Sequence, residues 1–207
     1  MTPKRAPNAR ARGVMLGEGR ETDLGRRKPF KDSGSTILVL SNGKNTEKQY
    51  LGALKRERWG QPFHISFKNY APPALVDHGI SEKINSGYDH VWCVFDVDNF
   101  NVVDALKKAD VCGVRIALSE PCFEVWLILH KVDWRRSFQN AKEAERELKK
   151  ILPKWDKANL KMEDFRADIE MATHRAKKLG EPPNNNPSSS MWQLVEFLKP
   201  VDEKSVN

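Results

Sequence analysis

Two short runs of consecutive apolar residues constrain the fold of this chain more than any other feature. They cover 37–40 and 91–95, and each is bounded by polar residues. Apolar runs of this length, without alternation, are typical of strands buried on both faces of a parallel sheet. Each run is followed by a segment with helical spacing of its apolar residues. This alternation predicts an α/β fold, with a mostly parallel sheet flanked by helices on both faces.

The same pattern places the remaining elements. We predict further strands at 63–67 and 113–118, and helices at 45–58, 73–86, 101–109 and 121–130. Beyond residue 132 the pattern becomes helical, with predicted helices at 141–152, 161–179 and 191–199 and a loop at 181–190. The chain is therefore predicted to have three parts: a disordered basic arm (1–34), an α/β domain (35–132) and a helical C-terminal annex (133–207) packed on that domain.

Most of the positive charge lies in residues 1–34. This segment has nine Lys or Arg residues and four Asp or Glu residues, which gives it +5 of the formal net charge of +7. A basic arm beside a nearly neutral body is typical of proteins that contact RNA or DNA. The alternative is a solvated tail that only aids solubility. The candidate nucleic-acid contacts in the arm are Arg26, Arg27, Lys28 and Lys31.

The cysteines and the hydropathy indicate a cytoplasmic protein. Cys93, Cys112 and Cys122 are widely spaced and form no C-x-x-C pair, so we expect reduced thiols. No segment reaches the roughly 18 apolar residues that a membrane span requires. The N-terminal basic residues precede no apolar core, so a secretory signal is not expected.

Asp96 and Asp98 follow the predicted third strand and are the leading candidates for a site. Parallel sheets place their sites at the carboxyl ends of strands, and two residues in an i, i+2 relation share one face of an extended chain. Paired carboxylates favour Mg²⁺ or Mn²⁺, which can activate water against a phosphodiester. The alternative is a solvated turn after the strand.

Three further residues near strand ends are candidates. Glu47 is either a third acid or a helix-start residue favoured by the helix dipole. Glu124 begins an otherwise apolar helix, where it is either functional or a capping residue. Lys44 precedes a helix N-terminus and is placed to hold a phosphate. The surrounding Ser-Asn-Gly-Lys stretch lacks the spacing of a P-loop.

Four sequence blocks together resemble RloB-like proteins, a bacterial family that includes abortive-infection proteins of the AbiL type. The blocks lie at 37–47, 94–100, 119–130 and 186–190. The third block, with its Pro-Cys-Phe-Glu-x-Trp-Leu sequence, is the most specific. In order and approximate spacing the similarity extends over about 26–200.

The resemblance implies a Toprim-like fold, in which a Glu after the first strand and a later Asp-x-Asp hold Mg²⁺ at a phosphodiester. This chain has Asn42 where the family usually has that Glu, so one carboxylate is replaced by a neutral amide. The implied metal ligands are Asp96, Asp98 and Asn42. The implied catalytic residues are Glu47, Glu124 and Lys44.

The resemblance also implies a role in defence against phage, with a neighbour-encoded ATPase of the AAA or ABC-like kind as partner. The leading hypothesis is a Mg²⁺- or Mn²⁺-dependent nuclease that cleaves RNA or DNA. Because of Asn42, the alternative is a catalytically weakened subunit that serves binding or assembly. Primer synthesis is disfavoured because the chain lacks a template-binding module. Self-association into a homo-oligomer is left open.

Overall fold

The computed structural model describes residues 35–57, 60–97 and 101–199. The predicted arm, with Arg26, Arg27, Lys28 and Lys31, lies outside these ranges, and so does Asp98. The strands are β1 (Ile37–Ser41), β2 (His64–Phe67), β3 (His90–Asp96), β4 (Arg115–Glu120) and β5 (Ser188–Ser189). The helices are α1 (Thr46–Arg56), α2 (Pro72–Asn85), α3 (Val103–Val111), α4 (Glu124–Lys131), α5 (Ala141–Ile151), α6 (Ile169–Leu179) and α7 (Met191–Leu198).

The strands form one sheet in the order β2-β1-β3-β4-β5. The first four strands are parallel, and β5 pairs antiparallel with the end of β4. The prediction of an α/β fold with a mostly parallel sheet is therefore confirmed. Because β1 to β4 run in the same direction, the segments that follow them all leave from one edge of the sheet.

Both faces of the central strands are buried, which explains why the apolar runs lack alternation. One face packs against α2 and α3 through Leu38, Leu40, Val91, Cys93, Phe95 and Leu118. The opposite face packs against α1 and the helices from α4 onward through Ile37, Val39, Trp92, Val94 and Ala117. The predicted annex thus shares one hydrophobic core with β1, β3 and β4.

Two predictions about the C-terminal part were wrong in detail. Residues 161–179 are not one helix, because α6 begins at Ile169 and two short 3₁₀ helices precede it. Met162 and Phe165 are both buried, and an i, i+3 spacing aligns side chains in a 3₁₀ helix as it does in an α-helix. The loop at 181–190 contains β5, which two serines form by pairing with β4.

Helix α7 connects two distant parts of the sheet. Before its first residue, the Ser190 backbone N–H donates to the Leu118 carbonyl at 2.8 Å. At its end, the Leu198 carbonyl accepts from the Gln61 backbone N–H at 2.6 Å. Gly60 has φ +66°, and a Cβ there would lie 1.7 Å from the Leu198 carbonyl oxygen. The close approach therefore requires glycine at that position.

Candidate functional site

The candidate site is an acidic cluster at the edge of the sheet where β1, β3 and β4 end. The strand register places Ser41 of β1 opposite Val94, and Asp96 of β3 opposite Ser119. Of the predicted acidic pair, Asp96 is the half-buried last residue of β3. Asp98 lies outside the described residues, so the geometry of the pair stays a prediction.

Glu47 lies in the first turn of α1 and is 8 % exposed. Its carboxyl group rests against Gly43, since a Cβ on Gly43 would lie 2.0 Å from the Glu47 Cδ. The Gly43 backbone N–H donates to the Ser41 Oγ at 3.1 Å, which holds the loop under the carboxyl group. Burial raises the pKa of Glu47 to about 7, and the nearby charge of Glu124 adds to this rise.

Glu124 is the first residue of α4 and is also buried. Its Oε1 accepts a hydrogen bond from the Thr46 Oγ1 at 3.0 Å and lies 3.3 Å from the Lys157 Nζ. Glu124 is not an N-cap, because Phe123 holds that position. The structure therefore places this carboxylate between the start of α1 and the loop after α5.

Lys157 brings the predicted annex into the acidic cluster. Its Nζ lies 3.3 Å from Glu124 and 3.5 Å from the Glu145 Oε2. Burial acts to lower the pKa of Lys157, but these two carboxylates outweigh it and raise that pKa. The adjacent loop is fixed to α1, where the Gln49 Nε2 donates to the Ala158 carbonyl at 2.8 Å. The sequence offered no sign of this contact, because Lys157 lies in an irregular segment.

Cys122 links Asp96 electrostatically to the same cluster. Burial raises the pKa of its thiol well above the ordinary value, and the charges of Glu124 and Asp96 raise it further. A raised pKa favours the protonated thiol, which is a poor nucleophile. Cys93, Cys112 and Cys122 are all free, as predicted.

Asn42 is half-buried at the end of β1. Its side-chain Nδ2 donates to the Tyr70 carbonyl at 3.3 Å, and its backbone N–H donates to the Val94 carbonyl at 3.4 Å. The amide is therefore engaged with the segment between β2 and α2. Its assignment as a metal ligand stays a prediction.

Lys44 lines a surface depression of about 280 Å³ beside the acidic cluster. Two lysines that the sequence reasoning missed, Lys48 and Lys68, line the same depression. Lys68 directly follows β2, so the strand-end rule that selected Asp96 would also have selected it. Lys48 lies in the first turn of α1, whereas Lys44 lies two residues before that helix begins.

Within 35–57, 60–97 and 101–199, no group of three or more His, Cys, Asp or Glu residues is arranged to hold a metal ion. Glu47, Glu124 and Asp96 nevertheless share the carboxyl edge of the sheet, and all their donor atoms are oxygens. In the same described ranges, no helix is both long enough and apolar enough to cross a membrane.

Comparison with known proteins identifies the family of the chain. A search of curated proteins found no match, and a search of solved structures also found none. The family model described as RloB-like protein matches residues 37–198, which include every strand and helix described above. The chain therefore belongs to the family of RloB-like proteins.

Proposed function

We propose that this protein is a Toprim-like, metal-dependent nuclease that hydrolyses phosphodiester bonds of RNA or DNA in an abortive-infection defence against phage. The observation that carries the proposal is that Glu47, Glu124 and Asp96 all lie at the carboxyl edge of the sheet, where Glu124 acts electrostatically on Glu47 and both Glu124 and Asp96 act on Cys122. These acids come from α1, α4 and the end of β3, and each is buried or half-buried. Acids gathered at the carboxyl edge of a parallel sheet are better explained by a site than by solubility.

The donor atoms fit a hard divalent cation. Mg²⁺ or Mn²⁺ takes oxygen ligands and is often bound by one or two carboxylates together with water and substrate phosphate. Asp96 and Asp98 would hold the ion, with Glu47 or Asn42 completing the protein ligands. When bound, the ion would polarise the phosphodiester and lower the pKa of a bound water.

The remaining residues of the site would orient these ligands and the substrate. Gly43 leaves the space in which the Glu47 carboxyl group lies. Glu124 is already engaged by Thr46 and Lys157, so we assign it a positioning role at the start of α1. Lys44 is exposed and lines the depression next to Gly43, and we assign its ammonium group the role of contacting a substrate phosphate.

The test is a cleavage assay on the purified full chain. Labelled RNA and DNA are incubated with Mg²⁺ or Mn²⁺, with and without the neighbour-encoded ATPase that the family suggests as partner. We expect metal-dependent cleavage, and we expect Asp96→Asn to remove it without changing the melting temperature by more than a few degrees. The control is Glu145→Gln, on the outer side of Lys157. Absence of cleavage with both metals and the partner present would refute the proposal.

A second candidate is a catalytically weakened subunit that binds nucleic acid or assembles the defence complex. The observation that favours it is Asn42, whose amide contacts Tyr70 instead of supplying a carboxylate. Phage-protection assays separate the two candidates. A nuclease loses protection with Asp96→Asn, whereas a binding subunit keeps it. Size-exclusion chromatography with the ATPase would establish whether the chain acts in a complex or as a homo-oligomer.

A further inference from the structure

A basic depression lies next to the acidic cluster, and we call it the lysine groove. It is lined by Asn42, Gly43, Lys44, Lys48, Phe67, Lys68 and Asn69. Lys44 lies in the loop before α1 and Lys48 in the first turn of that helix, whereas Lys68 comes from the segment after β2. Because β1 and β2 are parallel, with Ser41 opposite Phe67, the two segments leave the sheet side by side. The groove thus draws its charge from two separate elements.

Within the described residues, the positive charge of the lysine groove has no acidic ion-pair partner. None of its three lysines forms an ion pair with any acidic side chain in the described part of the chain; the ion pairs there involve other residues. The Lys48 Nζ instead lies 5.6 Å from the centre of the Phe67 ring. Three ammonium groups around one small depression repel one another, and a bound polyanion would relieve this repulsion.

An exposed aromatic residue, Tyr70, directly follows Asn69 of the lysine groove. Tyr70 is 43 % exposed, and its carbonyl accepts the hydrogen bond from Asn42 that ties it to the groove. The ring packs edge-on against His78, with the ring centres 5.6 Å apart. A partly exposed Tyr ring fixed in this way, in the residue that follows the groove, is suited to stack on a nucleic-acid base.

Gly43 connects the lysine groove with the acidic cluster. It lines the groove and also lies directly under the carboxyl group of Glu47. A polymer that lies along the groove is therefore led toward the Glu47 carboxyl group.

We infer that the lysine groove binds a single strand of nucleic acid, with its phosphates on Lys44, Lys48 and Lys68 and a base stacked on Tyr70. A single strand is favoured because the bases of a duplex are already stacked and do not present a face to an exposed ring. The inference rests on the proposed function in one respect only, which is that the bound strand runs toward Glu47. Binding itself requires no cleavage.

The first experiment measures binding of a labelled single-stranded RNA to the full chain in EDTA, by fluorescence anisotropy at several salt concentrations. Lys48→Ala/Lys68→Ala is expected to weaken binding at least tenfold. It should also reduce the slope of log Kd against log salt by about 1.4, which corresponds to two phosphate contacts with a single strand. The matched control is Lys107→Ala/Lys178→Ala, which removes the same charge from exposed positions elsewhere and should change Kd less than twofold.

The second experiment tests the stacking on Tyr70. Tyr70→Ala is expected to weaken binding of single-stranded RNA at least fivefold but to leave binding of inorganic polyphosphate, which has no bases, unchanged. Protection of Lys48 and Lys68 from chemical acetylation by the bound RNA, read by mass spectrometry, would locate the strand directly. Circular dichroism confirms that each variant is folded.

Three results would overturn the inference. The first is that the Lys48→Ala/Lys68→Ala variant and its control bind single-stranded RNA with equal affinity. The second is that the protein binds a duplex of the same sequence as tightly as the single strand. The third is that bound RNA does not change the acetylation of Lys48 and Lys68. Each is measured without metal. If the groove binds RNA but the protein cleaves nothing, only the proposed nuclease activity is refuted. If the Lys48→Ala/Lys68→Ala variant still cleaves with an unaltered KM, only the role of the groove is refuted.

Discussion

Lys157 provides a sharp test of how the acidic cluster is stabilised. Glu124 is buried to 5 % side-chain exposure, and Lys157 is the cation next to it, at 3.3 Å. Removal of one partner of a fully buried pair costs about 3–5 kcal/mol, because the other charge is left in a place of low polarity. The Lys157 side chain is 43 % exposed, so water would reach the space it leaves. The hydrogen bond from Thr46 also stays. We therefore expect Lys157→Met to lower the free energy of unfolding by about 2 kcal/mol.

The assay is urea denaturation followed by tryptophan fluorescence. The matched control is Lys150→Met, because Lys150 Nζ lies only 2.8 Å from the Glu147 Oε1 but is 71 % exposed. Exposed pairs of this kind contribute about 0.2–1 kcal/mol. Lys150→Met should thus lower the free energy of unfolding less than Lys157→Met, although its ion pair is shorter. The reason is that burial of the partner, and not the separation of the charges, determines the loss.

A double-mutant cycle isolates the interaction between the two groups. Glu124→Gln removes the negative charge, so that Lys157→Met in this background should cost less than about 0.5 kcal/mol. Equal destabilisation by Lys157→Met and Lys150→Met would refute the reasoning. Strict additivity of Lys157→Met and Glu124→Gln would refute it as well.

Three further predictions follow from burial and close contact. Burial lowers the pKa of His130 to about 4, so up to about 3 kcal/mol of stability should be lost as the pH falls from 6.5 to 4; urea titrations should show a weaker loss for His130→Gln. Gly43→Ala should displace the Glu47 carboxyl group and reduce kcat/KM for cleavage about 100-fold, whereas unchanged activity would show that this carboxyl group is not needed. Ser190→Ala should lower the free energy of unfolding by about 1–3 kcal/mol, measured by thermal unfolding, because the buried Leu118 N–H loses its acceptor at 2.8 Å. A loss below about 0.5 kcal/mol, the lower limit for a net hydrogen bond, would contradict this.

The prediction for His130 requires the His130→Gln variant, because a second buried group changes the stability with pH in the opposite direction. The folded-state pKa of Glu47 is raised to about 7, so the folded protein binds its proton more tightly than the unfolded chain does. Its contribution to stability therefore falls as the pH rises from about 4.5 to 7. The two groups partly offset each other in the wild-type protein. The difference between wild type and His130→Gln isolates the histidine.

The sheet was predictable from the sequence because strands that are buried on both faces consist of consecutive apolar residues. The strands at 37–41 and 90–96 lack polar alternation, and the helices between them carry apolar residues at helical spacing. The position of Asp96 follows from the end of such a strand. The two-residue strand β5 could not be predicted in this way, since Ser188 and Ser189 become a strand only through pairing with β4.

The composition of the candidate site was only partly predictable. Glu47 and Glu124 were selected because each begins a helix after a predicted strand. Lys157 was not, because its contact with Glu124 joins an irregular loop to a helix start that is distant in sequence. Lys68 was missed although the end of β2 lies at the same edge of the sheet. Contacts that depend on tertiary folding of loops leave no periodic pattern.

The path of α7 has a consequence for the synthesis of the protein. Residues 188–198 leave the ribosome after all four parallel strands, yet they pair with the end of β4 and reach the start of β2. A nascent chain that has not yet reached Ser188 therefore exposes the outer edge of β4 and the apolar face that α7 later covers. The helix that carries Glu124 follows β4 directly, so the acidic cluster adjoins a sheet edge that stays unpaired until residues 188–198 have been synthesised.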